Sequence, residues 1–172
     1  MKRSLPPIIT SSSRMLILGS LPGDESLRQQ QYYAHPRNQF WRILAEVYTA
    51  PFPETYSDRV ALLRQKQLAL WDVIGHGERE GSLDQALRNV TPNDFAWLFK
   101  TYPELQAIVF NGRKAHDLFE RRVLQPQALT GIERLPRLLM PSTSPAATLP
   151  LSAKIERWRR IATLQIHRDG SR

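Results

Sequence analysis

The chain has 172 residues, with 24 Lys and Arg against 16 Asp and Glu, a net charge of +8, and no cysteine. Its length fits one domain, and area scaling lets about 70% of the unfolded surface be buried, enough for one real core. A hydrophobic share of 41% with 23% charged residues excludes a disordered chain. The absence of cysteine excludes disulfides, thiol nucleophiles, cysteine zinc sites and iron–sulfur clusters.

A pI of about 10.3 points to a polyanionic partner, since Lys and Arg bind nucleic acid by neutralising phosphates. A merely soluble basic surface would have the same charge. The start, Met1-Lys2-Arg3-Ser4-Leu5-Pro6-Pro7, carries basic residues but no apolar signal region. Apolar runs such as residues 15–18 are too short to span a bilayer. The expectation is a soluble, cytoplasmic protein with no membrane partner.

Residues 1–13 read as an irregular arm, 14–166 as one domain and 167–172 as a tail. Met15-Leu16-Ile17-Leu18 is the continuous apolar run of a buried parallel strand. Residues 20–37 read as a long polar loop. A helix over 38–48 puts Phe40, Trp41, Leu44 and Val47 on one side, and Pro51 and Pro53 end it. A second helix around Leu62 and Leu63 precedes a strand at 68–73. Residues 75–81, with three glycines, read as a loop. Thr91-Pro92-Asn93-Asp94 reads as a helix start, with Thr91 capping and Pro92 first in the helix.

A third strand at 107–110 exits at Asn111-Gly112, and a helix follows over 113–121. A fourth strand at 137–140 ends in Pro141-Ser142-Thr143-Ser144-Pro145. The last helix, from about Ser152, sets Leu151, Ile155, Trp158 and Ala162 on one face and Lys154, Arg157, Arg159 and Arg160 on the others. The alternation predicts a single three-layer, doubly wound α/β domain: a four-stranded, mainly parallel sheet with helices on both faces. Ligands in such sheets bind beyond the carboxyl ends of the strands, where the Gly-, Ser-, Asn- and Pro-rich loops lie.

Taken singly, each loop has an ordinary reading. Gly19-Ser20-Leu21-Pro22-Gly23 is neither a dinucleotide fingerprint nor a P-loop, and could be a plain strand-exit turn. The hydroxyls of residues 142–144 could grip a phosphate or only shape a polar turn. Asn38 could cap its helix. Histidines 35, 76, 116 and 167 have no metal-ligand spacing, and no zinc deaminase signature is present.

Together, Gly19-Ser20-Leu21-Pro22-Gly23, Tyr32-Tyr33-Ala34-His35-Pro36-Arg37-Asn38-Gln39-Phe40-Trp41, Val109-Phe110-Asn111-Gly112 and Met140-Pro141-Ser142-Thr143-Ser144-Pro145 resemble the motifs of the uracil-DNA glycosylase superfamily, in order, over about residues 14–165. The resemblance is nearest to its hypoxanthine-DNA (deoxyinosine) glycosylase branch, then to the mismatch-specific uracil and thymine enzymes. The mismatch-specific branch carries an asparagine where this chain has Leu21, which cannot orient water. The hypoxanthine branch gives that role to the asparagine matched here by Asn38.

The resemblance implies a monofunctional glycosylase acting on DNA that contains a deaminated base, without metal or cofactor, as a monomer. Asn38 would hold the attacking water. Tyr33, Phe40, Asn111, Leu21 and Pro22 would bind the base, with Asn111 offering one donor and one acceptor. Ser20, Gly23, Arg37, Ser142, Thr143 and Ser144 would hold the DNA backbone, and Leu149 would wedge into the vacated stack. Excision of uracil or mispaired thymine is the alternative. A glycosylase-like fold that binds nucleic acid without catalysis is an alternative of another class.

Overall fold

In a computed structural model, which describes residues 1–80, 87–127, 129 and 131–169, the core is a wholly parallel four-stranded sheet. Strand β2 (Met15–Gly19) is central, flanked by β3 (Leu68–Asp72) and β6 (Ala107–Asn111), and β7 (Arg137–Met140) completes the order β3-β2-β6-β7. The order reverses at β2, so the loops leaving β2 and β6 flank the switch point where such sheets take ligands.

Alternation along these strands sorts the core into two layers. Met15, Ile17, Leu70 and Val109 face helices α2 (Phe40–Val47), α3 (Tyr56–Gln65) and α7 (Leu151–Asp169). Leu16, Leu18, Ala69 and Phe110 face α4 (Phe95–Thr101) and α5 (Arg113–Phe119). Helix α5 runs on through a π-helical stretch, Glu120–Leu124, into α6 (Gln125–Gln127), well past the expected end at 121. Trp158 of α7 is fully buried and its Nε1 donates to Pro141 O at 2.9 Å, tying the last helix to the loop after β7.

Five expectations need correction. The segment 20–37 is not all loop: α1 (Asp24–Gln29) forms within it, its first turn carrying Asp24 and Glu25. The segment 75–81 is mostly strand, β4 (Ile74–Glu78), with Gly81 outside the described residues. Thr91 and Pro92 belong to the edge strand β5 (Arg88–Pro92), where a proline breaks no ladder. The cap of α4 is instead Asp94, which accepts from Trp97 N at 2.9 Å. The arm is ordered: β1 (Lys2–Arg3) pairs with β4, Ile8 bridges to Leu70, and Leu5 is buried. Finally, α7 continues to Asp169, beyond the expected start of a tail at 167; residues 170–172 lie outside the described residues.

Strands β1, β4 and β5 thus make a second, antiparallel sheet that the sequence did not announce. Its use is local. Arg79, just past β4, is buried and donates to the carbonyls of Leu21, at 3.3 Å, and Pro22, so the second sheet clamps the loop leaving β2.

Candidate active site

A cavity of about 660 Å³ opens at the carboxyl end of the parallel sheet. The loops after β2 and β7, the turn before α2, and the strand-end residues Asp72 and Asn111 line it. It therefore gathers every expected site residue except Phe40 and Leu149.

Phe40 lies in the core, stacked on the Tyr33 ring at 4.1 Å between centroids and set edge-on to Trp158. It covers one face of Tyr33 instead of meeting a ligand itself, because the first turn of α2 points it at the sheet. Leu149 is half-buried and stands outside the cavity lining.

Thr143 departs most from its expected role as a phosphate ligand. It is fully buried and its hydroxyl is already engaged. Asn111 Nδ2 donates to Thr143 Oγ1 at 3.0 Å, Thr143 N donates to Asn111 Oδ1 at 2.9 Å, and Thr143 Oγ1 donates to Asn38 Oδ1 at 2.9 Å. Gln39 N also donates to Thr143 O at 3.1 Å. One threonine thus joins the ends of β6, β7 and α2.

Asn38 is not the cap of α2, which is Gln39, but stands one residue before it, and its Oδ1 accepts from Phe40 N at 3.0 Å in a turn leading into the helix. With the Thr143 bond, both lone pairs of that oxygen are engaged. The backbone donor fixes the amide's orientation, so the cavity side of Asn38 is its Nδ2, whose hydrogens have no partner among the described residues. Asn111 is likewise oriented, with one N–H and one carbonyl lone pair left over.

Ser142 Oγ accepts from Ser144 N at 3.1 Å and Ser144 Oγ from Ala146 N at 3.2 Å. These turns use the hydroxyls as acceptors and leave their O–H groups to donate. Gly112, at φ 93°, lets the loop come close: a Cβ there would stand 3.1 Å from Ser142 Cβ.

Two residues escaped the sequence reading. Lys154, expected on the polar face of α7, is 1% exposed; its Nζ donates to Gln39 Oε1 at 2.9 Å, Ala147 O at 3.3 Å and Ser144 O at 3.4 Å. Burial pushes its pKa below the ordinary lysine value. Asp72, expected at a strand end but given no role there, is buried at the cavity wall. A carboxylate ending an otherwise apolar strand was the available signal. At the rim, the hydrogen bond from Arg28 and then that from Gln29 hold Glu25 down to about 2. Among the described residues, no three His, Cys, Asp or Glu side chains gather as a metal site.

The family model of the uracil DNA glycosylase superfamily matches residues 6–165, an interval that holds the whole cavity lining. The chain belongs to the uracil DNA glycosylase superfamily. Two similar proteins are named hypoxanthine DNA glycosylase. The one from Methanosarcina barkeri is 40% identical over 115 residues, covering 66% of this chain and 73% of that protein. The one from Methanosarcina acetivorans is 42% identical over 115 residues, with the same coverage. A solution NMR structure of a Methanosarcina acetivorans protein, put forward as a uracil DNA glycosylase, superposes with a TM-score of 0.78 at 34% identity, covering 93% of this chain and 95% of that one. The superfamily fold and its DNA substrate class thus agree with the motif resemblance. No helix among the described residues is long and apolar enough to cross a membrane.

Proposed function

We propose that this superfamily member hydrolyses the N-glycosidic bond of deoxyinosine in DNA, releasing hypoxanthine and leaving an abasic site. The observation that carries the reading is the Asn38–Thr143–Asn111 chain, which sets two oriented amides on one cavity at the ends of β6 and α2. The hypoxanthine DNA glycosylases at 40% and 42% identity support the choice of base.

The nucleotide must first leave the stack, which costs a few kcal/mol. The donor hydroxyls of Ser142 and Ser144, with Arg37 at the rim, hold the flanking phosphates. The base enters the cavity and rests against the ring face of Tyr33 that Phe40 leaves open. The C1′–N9 bond breaks with its electron pair leaving on the base, and the sugar becomes an oxocarbenium ion. The remaining N–H of Asn111 meets the base carbonyl as charge builds there. Asn38 holds water by donating an N–H to one of its lone pairs, and the other lone pair attacks C1′. The proton lost by that water ends on the departing base. Asn38 acts as a donor because its carbonyl is already engaged.

The test is a panel of duplexes each carrying one hypoxanthine, uracil, xanthine or mispaired thymine, incubated with protein in EDTA and then cleaved with alkali. Strand cleavage at hypoxanthine supports the reading. DNA binding with no cleavage of any substrate at high enzyme concentration overturns it in favour of a non-catalytic binder.

A further inference from the structure

We propose that Asp72 selects the base, its carboxylate accepting the ring N1–H of hypoxanthine; the inference rests on the glycosylase reading above. The residue pairings place it. Gly19 of β2 pairs with Asp72 of β3, and Leu18 with Phe110 of β6, so the next step brings Gly19 beside Asn111. Ile17, Leu70 and Val109 share one face of the sheet, and residues two further along each strand share it too. Asp72, Gly19 and Asn111 therefore stand in a row on the cavity side, the two outer positions about 10 Å apart across two strand spacings.

Gly19, in the middle of that row, has no side chain, and the Asp72 carboxylate takes the space above it. A Cβ there would stand 2.7 Å from Asp72 Oδ1 and 3.1 Å from the Tyr33 hydroxyl, so the carboxylate leans over Gly19 and under Tyr33. A planar base against Tyr33 could then turn one edge toward both side chains, Asp72 reaching it from one side over Gly19 and Asn111 from the other. The backbone of Asp72 is fixed from behind, since Asn93 Nδ2 donates to its carbonyl at 2.8 Å.

The chemistry of the pair suits one edge of a purine. A carboxylate only accepts, with about four lone-pair positions on two oxygens, so a bond within the protein leaves room for the base. Hypoxanthine presents N1–H beside the carbonyl O6, matching the Asp72 acceptor and the Asn111 donor. Adenine presents a bare N1 lone pair there, and a carboxylate facing it is repelled. Asp72 thereby rejects the normal base that Asn111, an amide with both a donor and an acceptor, could accommodate by itself. The carboxylate opposes charge on the departing base, so its contribution is choice of base more than rate.

The experiment measures single-turnover excision of hypoxanthine, uracil and adenine, alongside DNA affinity, for the natural protein, Asp72→Asn and Asp72→Ala. Asp72→Asn should slow hypoxanthine release at least about tenfold and narrow the hypoxanthine-to-adenine ratio, because an asparagine N–H can meet adenine N1. Asp72→Ala should slow hypoxanthine release and also narrow that ratio, since Asn111 alone accommodates either base. A deoxyinosine methylated at N1 tests the same bond with no variant, and the natural protein should excise it at least about 100-fold more slowly. A folded Asp72→Asn protein with natural rates and base ranking, an equal loss on every base, or normal excision of the N1-methylated base would each overturn the inference. No hypoxanthine release by the natural protein would instead remove the glycosylase reading on which it rests.

Discussion

Thr143 and Asn111 are tied by two hydrogen bonds of opposite sense, Asn111 Nδ2 to Thr143 Oγ1 at 3.0 Å and Thr143 N to Asn111 Oδ1 at 2.9 Å. The same hydroxyl then donates to Asn38. Removing the hydroxyl while keeping the shape should loosen both amides, each left with only its backbone donor, without emptying the core. Thr143→Val leaves each partner short of one buried bond, at about 1–3 kcal/mol per group. Excision should fall at least about tenfold with DNA affinity nearly unchanged, whereas Thr143→Ser should retain most of the rate. A Thr143→Val protein with natural single-turnover rates would show that the amides need no such tie.

Asn38→Ala removes both the N–H that the proposed mechanism uses to hold water and the bond to Phe40 N. A loss of at least about 100-fold in excision is expected, the scale of one positioned polar group, with DNA still bound. The structural share of the effect, the lost turn bond to Phe40 N, shows separately in the melting temperature, at about 1 kcal/mol for one hydrogen bond. A variant that melts lower but excises normally would leave Asn38 as a turn residue and nothing more.

Lys154 gives two opposed trends with pH. Burial lowers its folded pKa below the unfolded value of about 10.4. Between those two values the unfolded chain binds the proton more tightly, so this group makes folding stability rise with pH. Over the same interval the folded amine loses a donor and with it one of its three oxygen partners. Excision should therefore decline on the alkaline side, before ordinary lysines titrate, while thermal stability does not. Lys154→Met should lower the rate and flatten that alkaline limb; an unchanged limb would assign it to another group.

The net charge of +8 should make DNA affinity fall steeply with salt, through counterion release. Titrations at several salt concentrations check the slope. A flat dependence would mean the basic residues, including those of α7, only solvate the surface.

The parallel sheet was legible because residues 15–18, 68–71 and 107–110 are apolar runs with polar exits, and burial on both faces leaves that mark, while the edge strand β7 shows it only over 138–140. The second sheet was not. Strand β4 reads Ile-Gly-His-Gly-Glu, which local preference assigns to a loop, and only pairing with Lys2–Arg3 and Arg88–Pro92 makes it a strand. The site loops were legible for the same reason as the strands they leave. What each side chain does inside them was less so. Thr143 is joined to Asn38 across 105 residues, a link no local spacing reveals. Lys154 was hidden by its charge, since lysines are almost never fully buried without partners.

Those same distances along the chain set an order in time. The clamp from Arg79 to Leu21 spans 58 residues, the Thr143–Asn38 bond 105, and the Lys154–Gln39 bond 115. Contacts so far apart in sequence close slowly, because each must first overcome the entropy of a large loop. The central sheet pairing, Met15 with Ala107, is as distant, so a chain refolding from denaturant should recover helix signals before it recovers the sheet and excision. For an enzyme that removes bases from DNA this order is protective: no short fragment of the chain holds both amides, so a half-made molecule lacks the pair on which the proposed excision depends.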